Sequence, residues 1–171
     1  VFRDGTPDIL VYPKDRAAYG RLTRLLTIGN RRAPKGECWM DFPDFLEHAE
    51  GQRAIIVPAL GTGDLPDAVL RRTIEAVQAK CRMAWLAARF VFDGEDHRRL
   101  RMLSELAYET GARLIATTEP LCHHPARRAL LDVLTCIREK TTLDEAGRRL
   151  AANAERHLKP AEEMERLFRM A

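Results

Sequence analysis

Four short apolar runs punctuate the chain, at residues 9–12, 54–57, 83–87 and 113–116. Each is rich in Ile, Val, Leu or aromatic residues and is bounded by Gly, Pro or Asp, which predicts four β-strands. Between them the apolar positions recur with helical spacing. After Pro13, a helix from about Asp15 places Tyr19, Leu22, Leu25 and Leu26 on one stripe. Asp41 is placed to cap a helix over 42–49, with Phe42, Phe45, Leu46 and Ala49 on one face and Gly51 as its stop. A third helix is predicted over 65–79, with Pro66 in its first turn. A fourth over 95–110 presents Leu100, Leu103, Leu106 and Ala107 and ends at Gly111.

Beyond Pro125 no strand pattern recurs. Helices are predicted over 125–138, 143–153 and 160–170, the second capped by Thr142 or Thr141 and the third opened by Pro160 with Glu162 and Glu163. Strands alternating with helices define an α/β class with four parallel strands, either an open sheet or a section of a barrel. The expected division is an α/β part over residues 1–124 and a helical extension over 125–171.

Composition narrows the class without naming a chemistry. A chain of 171 residues, 46% hydrophobic and 31% charged, can bury one genuine core. No apolar run approaches the roughly 20 residues that span a bilayer, so no membrane partner is expected. The start, Val1-Phe2-Arg3-Asp4-Gly5, has neither an initiator Met nor a signal-peptide pattern and is expected to belong to an excised or truncated piece. Cys38, Cys81, Cys122 and Cys136 are far apart and form no CxxC pair, which fits reduced thiols in a cytoplasmic protein. The net charge of +3 is mild. Doublets at Arg31-Arg32, Arg71-Arg72, Arg98-Arg99, Arg127-Arg128 and Arg148-Arg149 read as solvated helix ends and faces, with phosphate contact as the competing role.

The densest chemistry follows the fourth apolar run, where Glu119, His123 and His124 stand at a strand end. Metal ligation or general acid–base work is one reading; an exposed loop leading into a helix is the other. Adjacent histidines point in different directions, and a hydrolytic metal site needs three or more ligands. The ends of the other runs, Pro58-Ala59-Leu60 and Ala88-Arg89, supply none. Gly61-Thr62-Gly63-Asp64 is a weak phosphate signal because the fuller dinucleotide fingerprint is missing. Lys35-Gly36-Glu37-Cys38 reads as a turn, His48 and His97 as surface residues, and His157 as a packing or solvent-facing residue. No GxSxG, HExxH or paired aspartates occur.

Several blocks together resemble the PHP (polymerase and histidinol phosphatase) domain of bacterial family C DNA polymerases, closest to the error-prone paralogues of the replicative alpha subunit. They are Tyr12-Pro13-Lys14-Asp15-Arg16-Ala17-Ala18-Tyr19-Gly20, Lys35-Gly36-Glu37-Cys38, His48-Ala49-Glu50-Gly51 and Asp93-Gly94-Glu95-Asp96. The most specific are His123-His124-Pro125, Asp132-Val133-Leu134-Thr135-Cys136-Ile137-Arg138 and Glu155-Arg156-His157-Leu158-Lys159-Pro160.

The resemblance implies a distorted β/α barrel of which this chain holds the later strands. It implies a parent that copies DNA templates during damage-tolerant synthesis, using Mg²⁺ in a separate palm domain. The rest of the polymerase chain, DNA, deoxynucleotides and other replication or repair proteins are the implied partners. Where metal-holding members carry Thr-Asn-Asp-Val-His, this chain reads Thr117-Thr118-Glu119-Pro120-Leu121. Glu119 replaces Asp as an oxygen donor, Leu121 stands at the His position, and His123 lies two residues further on. Glu119 and His123 are therefore the candidate metal ligands of a site expected to be degenerate, with no cofactor firmly held and no catalytic residue in this segment. A metal-dependent phosphoesterase is the alternative. An excised barrel section also exposes edges through which a homodimer is expected to form.

Overall fold

The computed structural model describes residues 2–59 and 67–169, so the glycine loop at 61–64 lies outside the described residues. The chain divides into two compact units, which interleave along the sequence. One comprises Val1–Ala88 with Met102–Ile115, the other Arg89–Arg101 with Ala116–Ala171.

Strands β1 (Asp8–Pro13), β2 (Gln52–Val57), β3 (Met83–Arg89) and β4 (Arg113–Thr117) form one open sheet in the order β1-β2-β3-β4; all of it belongs to the first unit except Arg89, Ala116 and Thr117 at the strand ends, which belong to the second. All four contain the apolar runs predicted from sequence. Their polarity meets the expectation of parallel strands only in part. β2 and β3 are parallel, with Arg53 opposite Met83 and Ile56 opposite Leu86, but β1 is antiparallel to β2, with Asp8 opposite Val57 and Pro13 opposite Gln52.

The reason lies in the connection. Helix α1 (Arg16–Arg32), capped by the Asp15 carboxylate on the Ala18 N–H at 2.8 Å, carries the chain away from the end of β1. The segment Cys38–Met40 then packs beside Gly29 near the far end of α1, and helix α2 (Phe42–Glu47) leads back. Gly51 finally lies against Ala18 at the near end. One helix between strands returns the chain for a parallel partner; this outward-and-back pair delivers it for an antiparallel one.

Close packing also shifts the buried face of α1. Ala18, Leu25 and Gly29 are buried, whereas Tyr19 is 59% exposed and Leu26 is exposed too. A Cβ on Gly29 would stand 2.6 Å from Cys38 Sγ, so the tightest contact is made by a residue that apolar counting ignores. Gly51, at φ +75°, meets Ala18 and Arg21 in the same manner. Gln52 is buried and donates through Nε2 to the Ala18 carbonyl at 2.7 Å, fixing the start of β2 to α1.

Helix α3 (Asp67–Lys80) contributes Leu70, Ile74 and Val77 to the core, beside Ile56 of β2 and Leu86 of β3. Helix α4 (Asp96–Thr110) buries all four of the residues its periodicity singled out: Leu100, Leu103, Leu106 and Ala107.

The second unit contains the predicted helices, with one shortened. A 3₁₀ turn (Pro125–Arg127) leads into α5 (Arg128–Glu139), which ends at Lys140 in the left-handed region at φ +52°. Helix α6 (Leu143–Ala146), capped by Thr142, passes into a single 3₁₀ turn (Gly147–Arg149) and does not reach residue 153. Gly147, at φ +50° and ψ −124°, breaks the helical path. Asn153 then spends its side chain on loop contacts, donating to the Val91 carbonyl at 2.7 Å and accepting from the Glu155 N–H at 2.9 Å. Helix α7 (Ala161–Phe168) follows Pro160. Phe168 packs edge-on against the buried Phe90 ring, at a centroid separation of 5.0 Å.

Candidate functional site

The loops that follow β3 and β4 meet the segment 153–159, and charged side chains fill the junction. Glu119, at φ +43°, has its N–H held by Thr117 Oγ1 at 3.1 Å. Its Oε2 accepts from Arg89, the last residue of β3, and lies 3.4 Å from Arg156 Nη2. Arg156 also donates through Nε to the Glu119 carbonyl at 3.2 Å. The Arg89 and Glu119 side chains are 10% and 17% exposed, so this is a largely desolvated carboxylate with two guanidinium partners.

A second charged node lies three residues beyond Arg156. The Lys159 side chain is 0% exposed, with Nζ 2.7 Å from Glu155, 3.5 Å from Glu163 and 3.4 Å from His157 Nε2. It stands 5.5 Å from the centroid of the Phe92 ring. Because an ammonium only donates, His157 accepts at Nε2, which leaves its Nδ1–H to donate to the Ala154 carbonyl at 2.9 Å.

Backbone pairing closes the junction: the Leu121 N–H donates to the Arg156 carbonyl at 2.9 Å and the Leu158 N–H to the Cys122 carbonyl at 3.2 Å. On the β3 side, the buried Asp96 accepts from the N–H groups of Val91 and Phe92, both at 2.8 Å. These bonds hold Phe92 at φ +58°. Arg99 bridges Asp96 and Asp93, whose carboxyl is held below the ordinary range by the Glu95 N–H and Arg99 against the opposing effect of desolvation.

Of the residues singled out from sequence, Glu119 therefore lies inside the junction. His123 and His124 are exposed, and His124 Nδ1 accepts from the Ala126 N–H at 3.2 Å to start the 3₁₀ turn. Among the described residues, no group of three or more His, Cys, Asp or Glu side chains is arranged to hold a metal ion. A cation at Glu119 would face the two guanidinium groups already bound there, so these residues do not fit a divalent metal in this arrangement.

His48 donates its Nδ1–H to the Asp44 carbonyl at 2.8 Å, and His97 stands edge-on to Phe90. All four cysteines are free; burial pushes the Cys81 thiol up to about 11, so it remains protonated at neutral pH. The arginine doublets divide by role. Arg32, Arg71, Arg99 and Arg128 enter ion pairs with Asp44, Glu109, Asp96 and Asp132, while Arg148 and Arg149 are exposed.

Local reading of the sequence passed over Arg89, Asp96, Asn153 and Arg156. A cation ending an otherwise apolar strand, and the three-residue spacing of Asn153, Arg156 and Lys159, were the available signals.

The geometry defines an α/β chain whose strand-end loops are locked by ion pairs to a polar connecting segment. No protein-family profile matches it. Over nearly its whole length the chain is similar to proteins named error-prone DNA polymerase. It is 52% identical to one from Bradyrhizobium diazoefficiens across 99% of this chain, and 48% identical to one from Caulobacter vibrioides across 98%. A third, from Rhodopseudomonas palustris, is 48% identical across 99%. The chain spans about 15% of the length of each of these relatives. No helix among the described residues is long and apolar enough to cross a membrane.

Proposed function

We propose that this chain is a PHP-type segment of an error-prone DNA polymerase and serves that enzyme as a structural, partner-facing part. The sequence division at residues 1–124 and 125–171 belongs to the same proposal. The observation that carries the structural role is the engagement of Glu119 by Arg89 and Arg156. A carboxylate so placed holds loops together, and its charge is already compensated. The similarity across 98% to 99% of the chain supports the choice of parent.

In this reading the parent is a DNA-directed DNA polymerase, a nucleotidyltransferase acting in the cytoplasm during damage-tolerant replication and repair. Its partners are DNA, deoxynucleotides and other replication or repair proteins. Mg²⁺ belongs to its palm domain, where it would neutralise charge on the transferring phosphate. This chain's own residues position loops and present surfaces.

The tests use both the 171-residue chain and the full-length protein of this reading. Mn²⁺ and Zn²⁺ titrations of the 171-residue chain should reveal no tight stoichiometric site. Primer extension by the full-length His123→Ala variant should match the parent. A submicromolar metal site lost in His123→Ala, with metal-stimulated phosphate release from a phosphomonoester, would establish the phosphoesterase reading instead. Absence of primer extension by the full-length protein would remove the choice of parent.

A further inference from the structure

Helix α5 has two apolar sides. Leu131, Thr135 and Cys136 face inward as half-buried or buried residues. Leu130, Val133, Leu134 and Ile137, at i, i+3, i+4 and i+7, form a second stripe between 42% and 68% exposed. A helix on a free protein surface carries polar residues on that side. Exposed Leu143 of α6 extends the stripe, and Val133, Cys136, Ile137 and Leu143 line a shallow groove of about 520 Å³ beside it. A contiguous exposed apolar strip of this kind marks an interaction surface.

We propose that this stripe of α5 is the docking surface for the remainder of the parent polypeptide, outside the 171 residues. The inference rests on the parent reading given above and names the partner's attachment point. Two observations choose the occupant. The matched relatives are far longer, this chain spanning 15% of each, so the parent supplies abundant covalently linked surface. The stripe is also small. A helix of 12 residues is about 18 Å long, so one face offers on the order of 300 Å². A free-standing dimer needs roughly 800 Å² from each partner. A tethered segment needs far less, because linkage supplies the effective concentration.

The experiment compares Leu134→Glu/Ile137→Glu in two settings, the 171-residue chain and the full-length protein, by hydrogen exchange of the α5 amides and by sedimentation. In the short chain the substitutions fall on exposed positions, so exchange and melting should be unchanged. In the full-length protein α5 should exchange more slowly than in the short chain, and the substitutions should accelerate it about tenfold or more, as loss of apolar burial requires. The milder Ile137→Gln should show the same direction in a protein that remains folded.

Equal α5 exchange in the two settings would overturn the proposal. So would a dimer of the short chain that the substitutions dissolve, which would make a second copy the occupant. Primer extension scores the parent reading separately: protected α5 amides in a protein without polymerase activity would leave the docking face standing and remove only its named parent.

Discussion

Replacing Glu119 with Gln keeps the shape of the side chain and removes its charge. The Arg89 guanidinium, 10% exposed, then loses its charge-assisted contact with Glu119, and Arg156 loses its own. Breaking a fully buried pair by deleting one partner costs about 3–5 kcal/mol; partial exposure here reduces the expectation to about 2–3 kcal/mol. Arg89→Met fills the same space without charge and leaves Glu119 paired to Arg156, so about 1–2 kcal/mol is expected. Arg156, more exposed at 38%, should cost about 1 kcal/mol or less when changed to Ala. The double variant Glu119→Gln/Arg89→Met should be less destabilised than the sum of its singles, by about 1–2 kcal/mol.

Urea unfolding followed by far-ultraviolet circular dichroism measures this. With a slope of about 2 kcal/mol per molar, Glu119→Gln should lower the midpoint by about 1 M. Trp39 and Trp85 both belong to the first unit, so their fluorescence does not report locally on the substitution. Hydrogen exchange at residues 89–93, 119–122 and 153–159 does. Additive single and double variants, or a midpoint shift below about 0.3 M, would refute the claim that a coupled ion pair locks the strand-end loops.

Two further outcomes are expected. Gly29→Ala should destabilise the chain by about 1–3 kcal/mol in chemical denaturation, because the new methyl would press on Cys38 Sγ at 2.6 Å and Met40 at 2.8 Å. Asp44 is held below the ordinary carboxylate range, chiefly by its hydrogen bond with Arg32 and then by the Asp41 N–H. A depressed folded pKa adds stability that is complete above the ordinary range and lost as pH falls through the folded value, so Asp44→Asn should flatten the acid limb of a stability–pH curve and leave its alkaline limb unchanged.

Local periodicity located what depends on neighbours in sequence. The four apolar runs became the four strands, and Leu100, Leu103, Leu106 and Ala107 became the buried side of α4, because burial on a pleated or helical surface imposes its own repeat. Alternation is the same for either polarity, so it did not give the antiparallel direction of β1; the two helices predicted between the first and second runs carried that signal, and the parallel expectation did not use it. Nor was the early end of α6, where Gly147 and the loop contacts of Asn153 override helical propensity. Within the site, Glu119 stood out by residue type, but its partners lie 30 and 37 positions away, beyond any local pattern.

The α1–α2 excursion leaves the sheet beside Pro13 and rejoins it beside Gln52, two residues that face one another across the ladder. Its length is thereby uncoupled from the geometry it serves. Residues added or removed at its distal turn, where the Glu37 N–H closes on the Pro34 carbonyl at 3.0 Å, change a surface projection and leave every strand in register.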